Sequence, residues 1–152
     1  MHLLPFLRWL GGTPVANAID DSAWLFPVIE SFHILGLALL VGTIAILDLR
    51  LLGLGLRGRT EAETARDLAP WTLAGLGVML ATGPLLFSSD PMRYYQNPAF
   101  AFKMRVLLLA VISHFTIHRR AAGSLRWRKT AAYLSLALWS AVIAGARWIA
   151  TY

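Results

Sequence analysis

The fold of this chain is decided by residues 24–50, which read WLFPVIESFHILGLALLVGTIAILDLR. A helix needs about 20 apolar residues to cross the hydrocarbon core of a bilayer. Residues 34–47 alone give fourteen in a row without a charge. Three ionisable residues interrupt the stretch, namely Glu30, His33 and Asp48, and Arg50 ends it. Because ionisable groups are costly at membrane depth, they are the first candidates for a functional site.

The rest of the chain has the same character. Of its 152 residues, 57% are hydrophobic and 14% are charged, whereas soluble domains carry about 25% charged residues. We predict an all-α integral membrane bundle of four transmembrane helices, with an N-terminal amphipathic segment that lies in the membrane interface. The bundle forms a single membrane domain over residues 1–152. Its spans are predicted at about 22–52, 70–87, 99–118 and 131–149.

The distribution of charge predicts location and orientation. Twelve of the fourteen cations are Arg, and most follow the first or the third predicted span. Cations that flank apolar spans favour the cytoplasmic side of a membrane rather than a nucleic-acid partner. We therefore expect a multi-pass protein of the bacterial inner membrane, with the lipid bilayer as its partner and both termini on the periplasmic side. The absence of Cys excludes disulfides, thiolate zinc sites, iron–sulfur clusters and covalently attached haem.

Small residues in the second predicted span favour close contact between helices. Gly75, Gly77, Ala81 and Gly83 lie within two and a half turns of one another. Small side chains allow the backbones of membrane helices to approach closely. We interpret these residues as packing surfaces.

The first candidate site is centred on His33. Glu30 and His33 are three residues apart, so they share one face of the first span. In one interpretation His33 is an axial ligand of b-type haem, and Lys103, Arg105 and Arg147 surround the propionates at the same outer level. In the other interpretation His33 is a packing residue that bonds a neighbouring helix. In both, Glu30 forms a structural ion pair with one of these cations.

The second candidate is His114 on the third span, which shares a helix face with Lys103. His33 lies 17 residues before Arg50, or roughly 26 Å along a helix. His114 lies five residues before Arg119, or roughly 8 Å. This difference in depth argues against a haem clamped by both histidines. A metal site formed by His114 and His118 lacks a third ligand.

Three sequence segments carry a resemblance to known proteins. HILGLALLVG at 33–42, LDLRLLGLGLR at 47–57 and YYQNPAFAFKM at 94–104 resemble a family of uncharacterised bacterial four-helix inner-membrane proteins. The pair His33 and Arg50, and the pair Lys103 and His114, also resemble the HemJ-type protoporphyrinogen oxidases and the copper-resistance D membrane domain. That likeness implies a b-type haem at His33 and a cofactor role for His114. The chain differs from it in closing the first span with Asp48-Leu49-Arg50.

Two classes of function follow as hypotheses. The first is a small membrane protein that binds b-type haem in a redox or electron-transfer setting. The second is a non-catalytic accessory subunit of a larger respiratory or photosynthetic complex, with other membrane subunits or further copies of itself as partners. The sequence does not indicate whether the chain is an enzyme.

Overall fold

The computed structural model describes residues 3–54, 58–120, 125–149 and 151, and the side chains of all of these except 117–120 and 125. The regular elements in this part of the chain are helices, which confirms the all-α prediction. They are α1 (Leu3–Gly11), α2 (Pro14–Asp20), α3 (Leu25–Leu51), α4 (Glu61–Ser89), α5 (Pro91–Gln96), α6 (Pro98–Arg120) and α7 (Leu125–Ile149).

Four of these helices contain stretches that are long and apolar enough to cross a membrane, which confirms the predicted number of spans. The stretches are Leu25–Leu51, Glu61–Ser89, Pro98–Thr116 and Arg126–Ile149. Their lengths run from 19 to 29 residues, against about 20 needed for the hydrocarbon core. The chain is therefore a multi-pass membrane protein.

The start of α4 differs from the sequence prediction. Thr60 Oγ1 accepts a hydrogen bond from the backbone N–H of Glu63 at 3.2 Å, and Glu63 Oε2 accepts one from the backbone N–H of Thr60 at 2.8 Å. These two bonds form a capping box, and the helix continues from it through Pro70. A proline removes one helical hydrogen bond. The reciprocal cap and the helix-forming residues before Pro70 outweigh that loss.

Two further boundaries also differ. The segment between the second and third predicted spans contains α5, whose first turn is capped by the Asp90 carboxylate. α7 begins at Leu125, because the Arg and Lys residues that precede its apolar stretch are good helix formers. One of them, Arg128, forms an ion pair with Glu61.

The chain forms two compact units. Unit 1 comprises residues 1–40 and 71–97, and unit 2 comprises residues 41–70 and 98–152. Both α3 and α4 contribute one part to each unit.

In unit 1, the N-terminal helices pack on the segment that follows α4. α1 contacts α2 and α5, and Leu7 on α1 is buried. A Cβ built on Gly11 would lie 3.2 Å from Cδ of Pro91, so the missing side chain lets α1 approach α5.

In unit 2, α6 and α7 pack against each other. A Cβ built on Gly145 would lie 3.2 Å from Cβ of Lys103, which marks their closest approach near one end. The rings of Phe102 and Trp148 meet edge to face beside it, with centroids 6.5 Å apart. Small side chains at Ala110, Ala131 and Ala132 are buried further along.

Candidate functional site

Two glycines allow α3 and α4 to pack very closely within unit 1. A Cβ built on Gly75 would lie 2.7 Å from the backbone nitrogen of Leu40 and 3.0 Å from the carbonyl oxygen of Gly36. A Cβ built on Gly36 would lie 2.7 Å from Cγ1 of Val78. Because neither position has room for a side chain, the two backbones are in direct contact. The predicted packing role of Gly75 is confirmed, whereas Gly77 has nothing within 4 Å of its Cβ position.

This close packing brings His33 on α3 to Thr82 on α4. His33 Nδ1 lies 2.8 Å from Thr82 Oγ1. Thr82 Oγ1 lies 2.6 Å from the carbonyl oxygen of Val78, one turn earlier on α4. The His33 side chain is half-buried. The imidazole is therefore held by a second helix as well as by its own.

The chain of two hydrogen bonds determines which nitrogen of His33 carries the proton. A carbonyl oxygen can only accept, so the single hydroxyl hydrogen of Thr82 points to Val78. The contact between His33 and Thr82 is then a hydrogen bond that the imidazole donates from Nδ1. When the imidazole is neutral, this bond leaves the lone pair on Nε2. A histidine ligand of a metal commonly has this arrangement, with one nitrogen donating to a protein acceptor and the other binding the metal.

Gly83 of α4 lies beside the His33 ring. A Cβ built on Gly83 would lie 3.6 Å from Cε1 of His33, which is ordinary van der Waals contact. The position beside the ring therefore holds backbone and no side chain.

The number of possible protein ligands limits the kind of metal that His33 can bind. Within the part of the chain that the structure describes, no three His, Asp or Glu side chains form a group able to hold a metal ion. A metal bound only by protein side chains would need such a group. Haem iron is different, because the porphyrin supplies four nitrogens and the protein supplies one or two axial ligands. A haem role for His33 stays a prediction from the sequence.

A cavity of about 320 Å³ lies at the junctions of α2 with α3 and of α4 with α5, within unit 1. Its polar lining includes Asp20, Asp90, Arg93 and Tyr94. Burial raises the pKa of the Tyr94 phenol, the positive charge of Arg93 opposes this, and the carboxylates of Glu30 and Asp90 raise the pKa further. The exposed Glu30 is therefore within electrostatic reach of Tyr94.

The other predicted site residues belong to unit 2. Lys103 is half-buried, with its Cβ against Gly145 of α7. Arg105 and Arg147 are exposed. The assignment of these three cations to haem propionates, and the ion pair of Glu30 with one of them, stay predictions from the sequence.

His114 is also in unit 2. Its side chain is half-buried, and its ring meets the ring of Phe115 edge to face, with centroids 5.2 Å apart. The side chain of His118 lies outside the part that the structure describes. A cofactor role for His114 therefore stays a prediction from the resemblance.

Comparison with known proteins gives a family but no activity. The pattern of a family of unknown function, DUF6644, matches residues 24–152, which includes all four spanning helices and leaves out α1 and α2. The chain belongs to the DUF6644 family. No curated protein and no solved structure matches it. For this DUF6644 protein, the functional argument therefore comes from its own residues.

Two residues of this DUF6644 chain matter more in the structure than in the sequence. Thr82 stands alone in an apolar stretch, and nothing in the sequence indicates that it contacts His33. Asp48 lies near the end of the first apolar stretch of the sequence, and its exposed fraction is 0% in unit 2. The sequence does not show which face of α4 meets α3, and only that face identifies Thr82.

Proposed function

We propose that this chain is a small membrane protein that binds one b-type haem through His33 and acts in a redox or electron-transfer setting. The observation that carries the proposal is the hydrogen bond from His33 Nδ1 to Thr82. It supports a neutral imidazole whose Nε2 is the ligating nitrogen. A b-type haem bound there would supply one-electron redox chemistry.

The surroundings of His33 favour a ligand role over a packing role. The residue lies in the span with the highest mean hydropathy, 2.1, where an ionisable group is costly to keep. Thr82 orients the ring and, by accepting a hydrogen bond from Nδ1–H, makes Nε2 more basic. Gly83 keeps bulk away from Cε1. The alternative, a packing histidine that bonds a neighbouring helix, predicts the same bond to Thr82, and haem retention distinguishes the two roles.

The propionate partners are proposed from the sequence. Lys103, Arg105 and Arg147 are predicted near the outer end of their spans, where the carboxylates of a haem would need cations. Replacing each by Gln should weaken haem retention without abolishing it, because the iron ligand stays in place. Lys103→Gln is the first variant to test, since Lys103 is half-buried and the other two cations are exposed.

The first experiment is the visible spectrum of the protein purified from haem-replete cells. Reduction with dithionite should shift the Soret band of the bound haem, and it should add a sharp b-type α-band if a second axial ligand makes the iron six-coordinate and low-spin. His33→Ala should abolish haem retention. A colourless preparation that shows no Soret shift on addition of haem would exclude the proposal.

Two matched variants separate a ligand role from a general effect on folding. Thr82→Val removes the acceptor for His33 and should lower haem affinity about 10–100-fold, the usual effect of losing a group that orients a metal ligand. Thr116→Val is its control, because Thr116 on α6 makes the same bond to a carbonyl four residues earlier, at 2.6 Å. His114→Ala tests the second histidine. Equal haem loss in Thr82→Val and Thr116→Val would mean that the effect is not transmitted through His33.

A second function, the accessory subunit, is supported by a different observation. Gly42 on α3 and Gly77 on α4 have nothing within 4 Å of their Cβ positions. A small residue on an open helix face lets a helix of another subunit approach closely. Purification in mild detergent discriminates the two, since an accessory subunit should copurify with partners in fixed stoichiometry. A monodisperse and coloured protein without partners would count against it.

A further inference from the structure

Hydroxyl groups in the helices of this protein follow a common pattern. Most serine and threonine side chains donate a hydrogen bond to a backbone carbonyl three or four residues earlier, which is the usual way to satisfy a hydroxyl in a membrane helix. The residues that do so include Ser31, Thr64, Thr82, Ser88, Ser89, Thr116 and Thr130.

Two serines in unit 2 depart from this pattern. Ser113 on α6 and Ser135 on α7 are buried, with 6% and 2% of their surface exposed. The structure gives neither Oγ a hydrogen-bond partner among the described residues. Neither hydroxyl therefore makes the bond to its own helix that the other hydroxyls make.

The packing of α6 on α7 places these two serines at the same level. The contact between Lys103 and Gly145 fixes the alignment of the antiparallel pair. Ser113 is ten residues after Lys103, and Ser135 is ten residues before Gly145. Because both helices rise by about 1.5 Å per residue, equal separations from one contact end at equal heights.

Trp139 adds a third donor at this level. It lies one turn after Ser135 on the same face of α7, and side chains of a helix point towards its N-terminus. The indole is therefore directed towards the level of the serines. Trp139 is 3% exposed, and its Nε1, which can only donate, has no hydrogen-bond partner among the described residues.

We infer that α6 and α7 bind a neutral oxygen acceptor at a donor site formed by Ser113, Ser135 and Trp139. A buried donor without an acceptor loses its hydrogen bond to water and gains nothing in return. Three such donors at one level point to a shared acceptor. The acceptor is neutral because the donors are uncharged, and a buried ion would need an opposite charge. Two sources have this chemistry, namely internal water and the carbonyl of a lipophilic molecule such as a quinone.

The site is independent of the haem proposal. Its residues belong to unit 2, whereas His33 and Thr82 belong to unit 1. A colourless preparation would exclude haem at His33 and leave the test of the donor site unchanged.

The sign of a stability change tests whether the acceptor is present. If the hydroxyls are bonded to an acceptor, Ser113→Ala and Ser135→Ala should each lower the Tm of the full chain in detergent by about 2–4 °C. If the hydroxyls have no acceptor, removing them should leave Tm unchanged or raise it. Ser140→Ala is the control, because Ser140 is exposed on the same helix, and its Tm should match that of the wild type.

A second measurement needs no serine variant. The ultraviolet resonance Raman signal of Trp139, taken as the difference between the wild type and Trp139→Phe, reports whether the indole N–H donates a hydrogen bond. We expect the signature of a bonded N–H. An unbonded N–H, together with alanine variants at least as stable as the wild type, would overturn the inference.

Extraction distinguishes the two sources of the acceptor. Organic extraction of the purified protein, followed by mass spectrometry, should give about one quinone per chain if the acceptor is a carbonyl. The Ser113→Ala, Ser135→Ala double variant should then lose it. A bonded indole and lowered Tm without a quinone in the extract would assign the acceptor as water.

Discussion

Replacing Gly75 by Ala tests the contact that positions the candidate site. The new Cβ would lie 2.7 Å from the backbone nitrogen of Leu40. Carbon atoms in contact are normally about 3.5–4.0 Å apart. Because the opposing atom belongs to the backbone, no side-chain rotation relieves the clash. α3 and α4 must therefore move apart by roughly 0.8 Å or more at this point.

The expected cost follows from two opposing effects. Overfilling a well-packed contact typically costs about 1–3 kcal/mol, and here the clash with backbone places it at the upper end. Alanine is better than glycine inside a helix by about 1 kcal/mol. The net loss of stability should therefore be about 2 kcal/mol, which corresponds to a fall in Tm of about 4–8 °C for a chain of this size.

Gly77→Ala is the matched control on the same helix. Nothing lies within 4 Å of the Cβ position of Gly77, so the substitution keeps the helix gain and adds no clash. Its Tm should equal or exceed that of the wild type by up to about 4 °C. The difference between the two variants isolates the contact between α3 and α4, since the helix gain is common to both.

The Gly75→Ala substitution should also affect His33. A separation of about 0.8 Å would stretch the 2.8 Å contact between His33 and Thr82 to the limit of a hydrogen bond, about 3.5 Å. Gly75→Ala should therefore weaken haem binding, whereas Gly77→Ala should not. Thermal unfolding in detergent and haem titration measure the two effects. Equal Tm values for the two alanine variants would refute the close packing on which the site depends.

Three further predictions concern the surfaces and ends of the helices. Glu30→Gln should lower the pKa of Tyr94, because the Glu30 carboxylate raises it. An alkaline absorbance titration, with Tyr94→Phe as the blank, measures the pKa. Glu30→Asp keeps the carboxylate and should leave the pKa high. Since the folded pKa of Tyr94 lies above its ordinary value near 10, its contribution to stability is present below about pH 10 and is lost as the pH rises through the folded pKa. Thr60→Ala should cost about 1 kcal/mol, or about 2–4 °C in Tm, by removing the cap of α4, and Thr60→Ser should restore it. Reporter fusions at Gly58 and at Ser124 should both read cytoplasmic, and a periplasmic readout at either would reverse the orientation that the arginines predict.

The number and nature of the spans follow from the sequence, but their boundaries do not. An apolar run long enough to cross a bilayer has few alternatives to a helix, because every backbone group must be satisfied internally. The start of α4 depends instead on the bonds between Thr60 and Glu63, and on whether a helix tolerates Pro70. Local capping and propensity decide such ends, and hydropathy does not report them.

The candidate site divides in the same way. His33 can be selected from the sequence, because an imidazole within an apolar span is costly wherever the span packs. Thr82 cannot be selected, because its role requires knowledge of which face of α4 meets α3. Ser113, Ser135 and Trp139 read as ordinary residues of apolar spans, and only their common level and burial make them a site.

The sequence by itself determined that this protein is helical, spans a membrane and carries an ionisable residue within its most apolar helix. These properties depend on composition and on distance along one chain. The tertiary structure alone decided that His33 contacts Thr82 and that three donors of α6 and α7 are buried. Contacts of this kind depend on the rotation and depth of two helices relative to each other. Single positions such as Gly75 and Gly145 fix the rotation and the depth of a helix pair, because a missing side chain lets the helices approach at that point.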